Sequence, residues 1–516
     1  MSATAQAMND PVLMNKIRRS RVYDVAIRSA LSEALGLSTR ISNRVLLKRE
    51  DQQPIFSFKL RGAYNRLASL TPAERKQGVI CASAGNHAQG VALAAQALGS
   101  TALIVMPVTT PAIKVDAVRS LGASVELAGD DYDAACTRAH ELAGERARIF
   151  IHPFDDELVI AGQGTVGMEI MEQCVPPPDV VFIPVGGGGL AAGAAAYIKH
   201  VSPRTKVIGV EPVDSPSMQA ALDAGSPVTL DRVGSFADGV AVRTVGTRTF
   251  ELCTRYLDGM VQVTTDQMCA AIKDIFNETR TVTEAAGAIA VAGMKRYVAD
   301  QDLSDKTLVA IVSGANMNFD RLLHVAERAN IGEHSEALLA VEIDECKGSF
   351  LRFCQALGAR SVSEFNYRYA GTARARIFVG VGLSRGEEEK QEILDSLTEQ
   401  SFRCLDLSDN DLAKNHVRHT VGGYRNDVAH ERILRFEFPE RAGALAQFLR
   451  SVGESWNISL FHYRNHGSDY GRVLCGIQVP PDALDQFNAH LDQLGYHYVD
   501  ETANPACDLF FGDATR

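Results

Sequence analysis

Short apolar runs alternate with longer helical patterns from residue 45 to about residue 312. Each run is four to eight residues long, which is typical of strands buried in a sheet. Several runs are followed by small-residue helical patterns such as GVALAAQALG at 90–99. Continuous apolar strands separated by helices predict parallel sheets covered on both faces, with ligands bound at the carboxyl ends of the strands. The predicted strands are VLLKRE, GVICA, TALIVMP, ASVELA, DVVFIPV, KVIGVEP and TLVAIVSG.

The pattern changes after about Asn330, where the polar segment HVAERANIGEHSE ends the alternation. The remaining chain contains two similar copies, in which FNYR at 365–368 corresponds to FHYR at 461–464. Each copy predicts the order strand, helix, strand, strand, helix, strand, with Gly348 or Gly443 at the start of its first helix. This order is the ferredoxin-like split unit, and two copies indicate a duplicated domain rather than a solenoid. The predicted domains are residues 1–330, 336–408 and 431–502.

Length, charge and cysteine content narrow the functional class. A chain of 516 residues should fold as roughly three or four units. The net charge of −11 argues against a general nucleic-acid binder, because phosphate neutralisation needs an excess of lysine and arginine. Neither a signal peptide nor an apolar run of the ~20 residues that span a membrane is present. Ten cysteines without CxxC pairs fit reduced thiols in a cytoplasmic protein better than disulfides or a zinc site. We therefore expect a cytoplasmic protein that binds small molecules or protein surfaces and holds no metal.

The stretch PVGGGGLAAGAAAYIK at 184–199 carries the strongest local signal of ligand binding. Four glycines follow a predicted strand and lead into an alanine-rich helix, so backbone N–H groups are unobstructed at the positive end of the helix dipole. A flexible turn is the structural alternative, but linkers are usually mixed with serine and lie between domains. The run therefore predicts a phosphate site. The strict dinucleotide fingerprint is absent, although Glu211 after KVIGV keeps that interpretation open.

SAGNHAQG at 83–90 is a second junction between a strand and a helix. Gly85 permits a tight backbone, Ser83 and Asn86 can donate hydrogen bonds, and a helix that starts near His87 presents its N–H groups. Either the stretch is a turn that happens to be rich in turn-forming residues, or it is a loop that holds a carboxylate or a phosphate.

Two more motifs contribute a candidate nucleophile and two polar contacts. In SFKLRGAYNRL, Lys59 follows Pro54 and precedes a helical pattern. A lysine at a helix start is more readily neutral, because the dipole disfavours the ammonium, and a neutral lysine is what imine chemistry requires. A surface lysine is the alternative. VSGANMN offers Ser313 and Asn316 at another strand end, or forms a structural turn.

In this order, SFKLRGA, SAGNHAQG, GGGGL and SGAN resemble the motifs of the serine/threonine dehydratases. These belong to the tryptophan-synthase-β-like, fold-type II pyridoxal-phosphate enzymes. The resemblance covers residues 39 to about 322, and it implies an α/β catalytic region with two parallel-sheet domains. ERAGALAQFL and NISLFHYRNHGSDYGRVL resemble the ACT-like regulatory region of the biosynthetic members. The implied C-terminal region is a pair of α+β, ferredoxin-like domains.

The resemblance also implies a role for each motif. Lys59 would bind pyridoxal phosphate covalently, Asn86 would bond the phenolic oxygen of its ring, and Ser313 would meet the pyridine nitrogen. The cofactor phosphate would be held by Gly186, Gly187, Gly188, Gly189 and Leu190. The substrate carboxylate would be held by Ser83, Ala84, Gly85, Asn86 and His87.

The implied reaction is the conversion of L-threonine to 2-oxobutanoate and ammonia, the first step of isoleucine biosynthesis. In the family isoleucine inhibits, valine opposes it, and the enzyme is a homotetramer. We expect the effectors near the loops that begin at Gly348 and Gly443. Serine racemases of this group commonly carry a second serine where this chain has Ala84, which favours elimination here. A broader serine or hydroxy-amino-acid ammonia-lyase stays open, as do an amino-acid sensor with a vestigial catalytic region and a nicotinamide dehydrogenase.

Overall fold

The alternating pattern builds two sheets of mostly parallel strands in the computed structural model. The chain divides after Val325 into two compact units. The structure describes residues 10–344, 349–358, 360, 362–367, 374–419, 429–439, 448, 452, 456–464 and 470–510.

The strands of the first unit form one sheet of six and one of four. They are β1 (Leu31–Glu33), β2 (Arg44–Arg49), β3 (Val79–Ala82), β4 (Ala102–Met106), β5 (Ser124–Leu127), β6 (Ile149–Phe150), β7 (Val180–Pro184), β8 (Lys206–Pro212), β9 (Gly259–Val263) and β10 (Thr307–Val312). The larger sheet has the order β1-β2-β10-β7-β8-β9 and the smaller one the order β5-β4-β3-β6. Every pairing is parallel except that of β1 with β2.

All the predicted strands are present, with ends within two residues of the predicted ones. Three others were not predicted. β1 and β6 have three and two residues, too few to show a pattern. β9 is only partly buried and has the mixed sequence GMVQV, so it lacks the continuous apolar run of a central strand.

Helices cover both faces of the six-stranded sheet. Successive side chains of a strand point to opposite faces, so neighbouring residues of β7 contact different helices. On one face Val181 packs with the alanine-rich helix that starts at Gly189. On the other face the ring of Phe182 lies 5.5 Å from that of Tyr297. This two-sided burial explains why the central strands are apolar throughout.

One or two α-helices lie between successive strands of the first unit. They are α1 (Pro11–Arg18), α2 (Leu35–Arg40), α3 (Lys59–Ala68), α4 (Pro72–Gln77), α5 (Asn86–Ala97), α6 (Ala112–Ser120), α7 (Tyr132–Glu145), α8 (Glu157–Gln173), α9 (Gly189–Val201), α10 (Ser217–Ala224), α11 (Thr247–Tyr256), α12 (Thr265–Thr279) and α13 (Ala285–Asp300), and α14 (Arg321–Gly332) runs through the division point. None of the described helices is both long enough and apolar enough to cross a membrane.

Three candidate motifs begin where parallel strands end. β3 ends one residue before Ser83, β7 ends two residues before Gly186, and β10 ends one residue before Ser313. β7 and β10 are neighbours in the same sheet, so their carboxyl ends lie side by side. The fold therefore places these motifs where open α/β sheets bind ligands.

The second unit contains two antiparallel sheets of the same design. Its strands are β11 (Glu336–Asp344), β12 (Val362–Tyr367), β13 (Arg374–Gly382), β14 (Arg403–Asp406), β15 (Glu431–Pro439), β16 (Asn457–Arg464), β17 (Tyr470–Gln478) and β18 (His497–Asp500). Its helices are α15 (Ser349–Leu357), α16 (Gly386–Glu399), α17 (Asp411–Asn415), α18 (Leu484–Leu494) and α19 (Pro505–Phe510). The sheet orders are β12-β13-β11-β14 and β16-β17-β15-β18, which correspond strand for strand.

The predicted duplication is confirmed by this shared topology. The first copy has the full order strand, helix, strand, strand, helix, strand. The second repeats its strands and its last helix, whereas the segment of its first helix lies largely outside the described residues. A side-chain hydrogen bond is also repeated, from Ser363 to Glu336 in one copy and from Ser459 to Glu431 in the other.

Candidate active site

Lys59 is the first residue of α3, as the sequence predicted. Its Nζ donates to the carbonyl oxygen of Pro153 over 3.2 Å and lies 5.4 Å from the ring centre of Phe58. Burial lowers the pKa of the Lys59 ammonium to about 8, and the negative field of Glu284 offsets only part of that effect. A substantial fraction of this lysine is therefore neutral near physiological pH, as a nucleophile or base must be.

The backbone around Lys59 is tied to the end of β10 and packed against α5. The N–H of Phe58 donates to the carbonyl of Ser313 over 3.3 Å, and Ser57 forms a bridge with Gly314. A Cβ on Gly90, in α5, would lie 3.2 Å from the Lys59 carbonyl carbon. SFKLRGA, SAGNHAQG and VSGAN, far apart in sequence, are thus brought together.

The glycine run forms a narrow backbone turn between β7 and α9. Gly188 has φ of +92°, a conformation that favours glycine. A Cβ on Gly187 would overlap the ring of Phe154. The carbonyl of Gly187 accepts from Oγ1 of Thr249 over 2.6 Å. Because the first N–H groups of a helix have no intrahelical acceptor, the start of α9 at Gly189 offers donors to an anion.

The segment 152–155 joins the glycine run to Lys59. The carbonyl of Pro153 accepts from Lys59, while the ring of the next residue, Phe154, packs on Gly187. Nδ1 of His152 accepts from the N–H of Asp155 over 2.8 Å, which holds the segment in a turn. A lysine with a lowered pKa and a backbone anion cradle therefore share one wall.

Asn86 begins α5 and lies within a chain of side-chain hydrogen bonds. Its Nδ2 donates to Oε1 of Glu284 over 2.6 Å, and its Oδ1 accepts from Nδ2 of Asn316 over 2.6 Å. A Cβ on Gly314 would lie 3.3 Å from Nδ2 of Asn86, so the segment after β10 passes beside the amide. The neighbouring Ser313 is 3% exposed, and its hydroxyl donates to the carbonyl of Ala286 over 3.1 Å.

The rest of SAGNHAQG shows which of its groups a ligand can reach. Oγ of Ser83 accepts from the N–H of Gly85 over 3.2 Å, and no atom lies within 4 Å of a Cβ built on Gly85. His87 is buried, and its Nε2 donates to the carbonyl of Ile151 over 3.0 Å. Burial, followed by the charge of Lys59, lowers the pKa of His87 to about 3. The imidazole is therefore neutral, and the loop presents backbone and small side chains to the open space.

Glu284 is a charged residue of the site that the sequence reasoning missed. Burial and the nearby Asp238 raise the pKa of Glu284 to about 7, against the hydrogen bond from Asn86 and the positive charges of Lys114 and Arg321. Glu284 precedes an alanine-rich helix, and the local sequence does not indicate a partner so far away in the chain.

Arg61, two residues after Lys59, was also missed. It is fully buried and donates to both oxygens of Glu50 over 2.7 and 2.8 Å and to Glu169 over 2.6 Å. Lys48 donates to the other oxygen of Glu169 over 2.5 Å. Because removing one partner of a buried ion pair leaves an uncompensated charge, this cluster fixes the underside of α3. The only signal in the sequence is an arginine on the apolar side of a helical pattern.

Glu211, which kept the dinucleotide interpretation open, has a different role in the structure. Its carboxylate is buried and accepts from the N–H groups of Met218 and Gln219 over 2.6 and 3.0 Å. These are N–H groups of the first turn of α10, so the side chain stabilises the start of that helix. Across the described ranges, no group of three or more histidine, cysteine, aspartate and glutamate side chains is arranged to hold a metal.

Two family models together match nearly the whole length of the chain. Residues 24–314 match the family described as pyridoxal-phosphate dependent enzyme. Residues 327–417 and 424–511 match the C-terminal regulatory domain of threonine dehydratase. The biosynthetic L-threonine dehydratase of Burkholderia multivorans is 54% identical over 500 residues, covering 96% of this chain and 98% of that protein. That of Escherichia coli is 52% identical over 497 residues, covering 96% of each.

Solved structures are similar over about three fifths of the chain. The processed form of threonine deaminase isoform 2 from Solanum lycopersicum has a TM-score of 0.61 and 51% identity, covering 62% of this chain and 88% of that one. Maize serine racemase has a TM-score of 0.57 and 28% identity, covering 61% of this chain and 98% of that one. Lys59, with its lowered pKa, and the glycine cradle fit the cofactor that the matched family uses. The chain therefore belongs to the biosynthetic threonine dehydratases, pyridoxal-phosphate-dependent enzymes that carry a C-terminal regulatory domain.

Proposed function

We propose that this protein converts L-threonine to 2-oxobutanoate and ammonia as the first step of isoleucine biosynthesis. The observation that carries the proposal is that one segment, 152–154, contacts both Lys59 and the glycine run. A lysine that loses its proton near neutral pH thus lies beside a backbone anion cradle. Relatives named L-threonine dehydratase, 52% and 54% identical over most of the chain, support threonine as the substrate.

The proposed roles of the residues follow from their positions. Bound pyridoxal phosphate supplies an aldehyde that links to amines and a conjugated ring that accepts electrons from the α-carbon of the substrate. We assign the covalent link to Lys59, the phenolic oxygen to Asn86 and the pyridine nitrogen to Ser313. The phosphate is assigned to the N–H groups of Gly186, Gly187, Gly188, Gly189 and Leu190.

Lys59 also serves as the base in this proposal. With threonine held at the site, the amine of Lys59 would be the group that removes the α-proton, and its lowered pKa would leave it partly unprotonated at neutral pH. The loop Ser83, Ala84, Gly85, Asn86 and His87 holds the substrate carboxylate through backbone N–H groups at the start of α5. Water leaves from the β-carbon and water is added at the α-carbon, so threonine yields 2-oxobutanoate and ammonia without net consumption of water.

Ala84 favours elimination over racemisation. Reprotonation of the α-carbon from the face opposite Lys59 needs a proton donor, and a methyl side chain cannot supply one. The fold alone does not decide between these reactions, because maize serine racemase is also structurally similar.

We propose isoleucine as the inhibitor and valine as the opposing effector, both bound in the duplicated region. The match to a regulatory domain of threonine dehydratase supports a small-molecule effector there. Each effector must prefer a different global state of the enzyme. The loops at Gly348 and Gly443, where we expect these effectors, lie outside the described residues. We further propose a homotetramer in the cytoplasm, with domains at residues 1–330, 336–408 and 431–502.

One experiment tests the reaction, the substrate and the regulation together. We expect threonine to change the visible spectrum of the purified holoenzyme and to yield keto acid, with isoleucine suppressing the yield and valine restoring it. Threonine should exceed serine in kcat/KM by about 5- to 150-fold, because one methyl group in an apolar pocket is worth about 1–3 kcal/mol. Equal efficiency on serine would favour the broader ammonia-lyase, and D-serine formed as fast as keto acid would contradict elimination as the main reaction.

The lowered pKa of Lys59 predicts how cofactor capture depends on pH. Only the neutral amine attacks an aldehyde, so raising the pH through about 8 should speed the covalent capture of pyridoxal phosphate by cofactor-free protein. Above that pH the rate should level off, whereas an ordinary lysine would keep gaining neutral fraction up to 10.5. Stopped-flow absorbance measures the rate. A rate that still rises tenfold per pH unit between pH 9 and 10 would contradict an amine with this pKa.

A further inference from the structure

The hydrogen bonds around Asn86 fix which way its side-chain amide points. Asn316 has only two N–H donors on Nδ2, and both are used. One reaches the carbonyl of Ile55 over 2.7 Å and the other reaches Oδ1 of Asn86 over 2.6 Å. Oδ1 of Asn86 is therefore an acceptor, and Nδ2 of Asn86 must lie on the opposite side, where it meets Glu284 over 2.6 Å.

Glu284 is placed in an unusual way for a residue at the start of a helix. It occupies the position before Ala285, the first residue of α13, yet its side chain makes no capping bond to that helix. The carboxylate, 7% exposed, is directed at Asn86 instead. A Cβ on Gly314 would overlap its Oε1, so only glycine at 314 leaves room for this contact. The geometry indicates that the contact is built into the packing of the site.

The side-chain amide of Asn86 has one N–H that neither Glu284 nor Asn316 uses. Nδ2 of Asn86 carries two hydrogens, and Glu284 takes one of them. Asn86 is only half-buried, and the segment after Ser313 passes beside its amide. The second N–H is the group that a cofactor oxygen would accept from.

We propose that Glu284 is a positioning residue that, with Asn316, locks the amide of Asn86 so that one N–H is held toward the phenolic oxygen of the cofactor. This inference rests on the proposed function, because it takes the contact of Asn86 with pyridoxal phosphate from there. Without Glu284 the amide can rotate, or swing its Nδ2 toward another acceptor. The protein then binds the ring less tightly and in a less defined orientation.

A second route for Glu284 has to be separated from this one. Its charge also faces Lys59, Asp238, Lys114 and Arg321, so it acts on the lysine electrostatically as well. Glu284→Gln keeps an acceptor oxygen of the same shape but removes the charge. Positioning therefore predicts that Glu284→Gln stays within about threefold of the wild type, whereas Glu284→Ala does not. An electrostatic route predicts that both variants lose affinity alike.

The test is a double-mutant cycle on the affinity of the cofactor-free protein for pyridoxal phosphate. Glu284→Ala and Asn86→Ala should each weaken binding about 10- to 150-fold, the effect of one hydrogen bond to a charged group. The double variant should be no weaker than Asn86→Ala alone, because the positioning effect of Glu284 is transmitted only through Asn86. Asn316→Ala should also weaken binding, but not in the Asn86→Ala background. Bound cofactor should show the same displacement of its absorption band in all three single variants.

Asp274→Ala is the matched control for loss of a buried carboxylate. Asp274 is buried and is not one of the residues assigned to the site. Its carboxylate pairs with Arg40 and accepts from Lys295 over 2.6 Å. This variant should lower the Tm and leave the absorption band and the cofactor affinity unchanged. If Glu284→Ala does not fold, Asn316→Ala tests the same orientation of the amide.

The outcomes separate this inference from the function on which it rests. Additive effects of Glu284→Ala and Asn86→Ala, or unchanged binding in Glu284→Ala, would overturn the positioning role while the dehydratase function stands. Unchanged binding in Asn86→Ala would likewise overturn it. Wild-type protein that captured no pyridoxal phosphate would instead refute the proposed function itself.

Discussion

Replacing Lys59 by alanine is expected to remove the absorption band of lysine-bound pyridoxal phosphate and to reduce threonine turnover by about ten-thousandfold or more. The reason is that one amine has two tasks in the proposal, as the covalent anchor of the cofactor and as the base that takes the α-proton. Its surroundings suit both tasks, since burial brings its pKa to about 8 and the carbonyl of Pro153 holds its Nζ over 3.2 Å. Absorption spectra and keto-acid formation measure the two losses separately.

The control for this substitution is Lys76→Ala. Lys76 is exposed on α4, so its loss should change neither colour nor turnover. Because the group missing from Lys59→Ala is a primary amine, a small added amine should restore part of the turnover without restoring the covalent link. Wild-type turnover in Lys59→Ala would contradict both tasks, and a covalent link that survived in Lys59→Ala would place the anchor elsewhere in the protein.

The positions of the motifs could be predicted from the sequence, because they depend on local patterns. Apolar runs fixed the ends of β3, β7 and β10, and the residues after those ends are the polar or glycine residues of the site. Lys59 at the start of α3 was predictable for the same reason. Parallel strands of one sheet leave their carboxyl ends at one edge, so the proximity of the motifs after β7 and β10 could be expected. β3 belongs to the other sheet, so the approach of SAGNHAQG depends on how the two sheets pack.

The contacts between the motifs could not be predicted in this way. Asn86 and Glu284 are 198 residues apart in the chain, and nothing in the sequence around either residue points to the other. The partners of the fully buried Arg61 could not be predicted either. Glu50 lies in the short helical turn Glu50–Gln52, and Glu169 lies in α8. Local patterns predict where a chain turns, whereas pairings of charged side chains depend on how distant elements pack.

Replacing Gly187 by alanine should weaken the binding of pyridoxal phosphate by about 5- to 150-fold, the effect of about 1–3 kcal/mol of overpacking. The added Cβ would overlap the ring of Phe154. Either the ring or the glycine run must then move, and the run carries the N–H groups assigned to the phosphate. The backbone itself tolerates alanine at 187, in contrast to Gly188, whose φ of +92° disfavours any side chain. Titration of cofactor-free protein with pyridoxal phosphate measures the change.

A purely steric effect at Gly187 should be reversed by removing the obstacle. The pair Gly187→Ala with Phe154→Ala should therefore bind the cofactor more tightly than Gly187→Ala alone, whereas Phe154→Ala should not rescue a variant at Gly188. Gly144→Ala is the matched control, because no atom lies within 4 Å of a Cβ at that position. Failure of the rescue would mean that the added methyl group obstructs the ligand rather than the ring of Phe154. The phosphate would then approach the backbone at Gly187 itself. Unchanged affinity in Gly187→Ala would place the phosphate away from this loop.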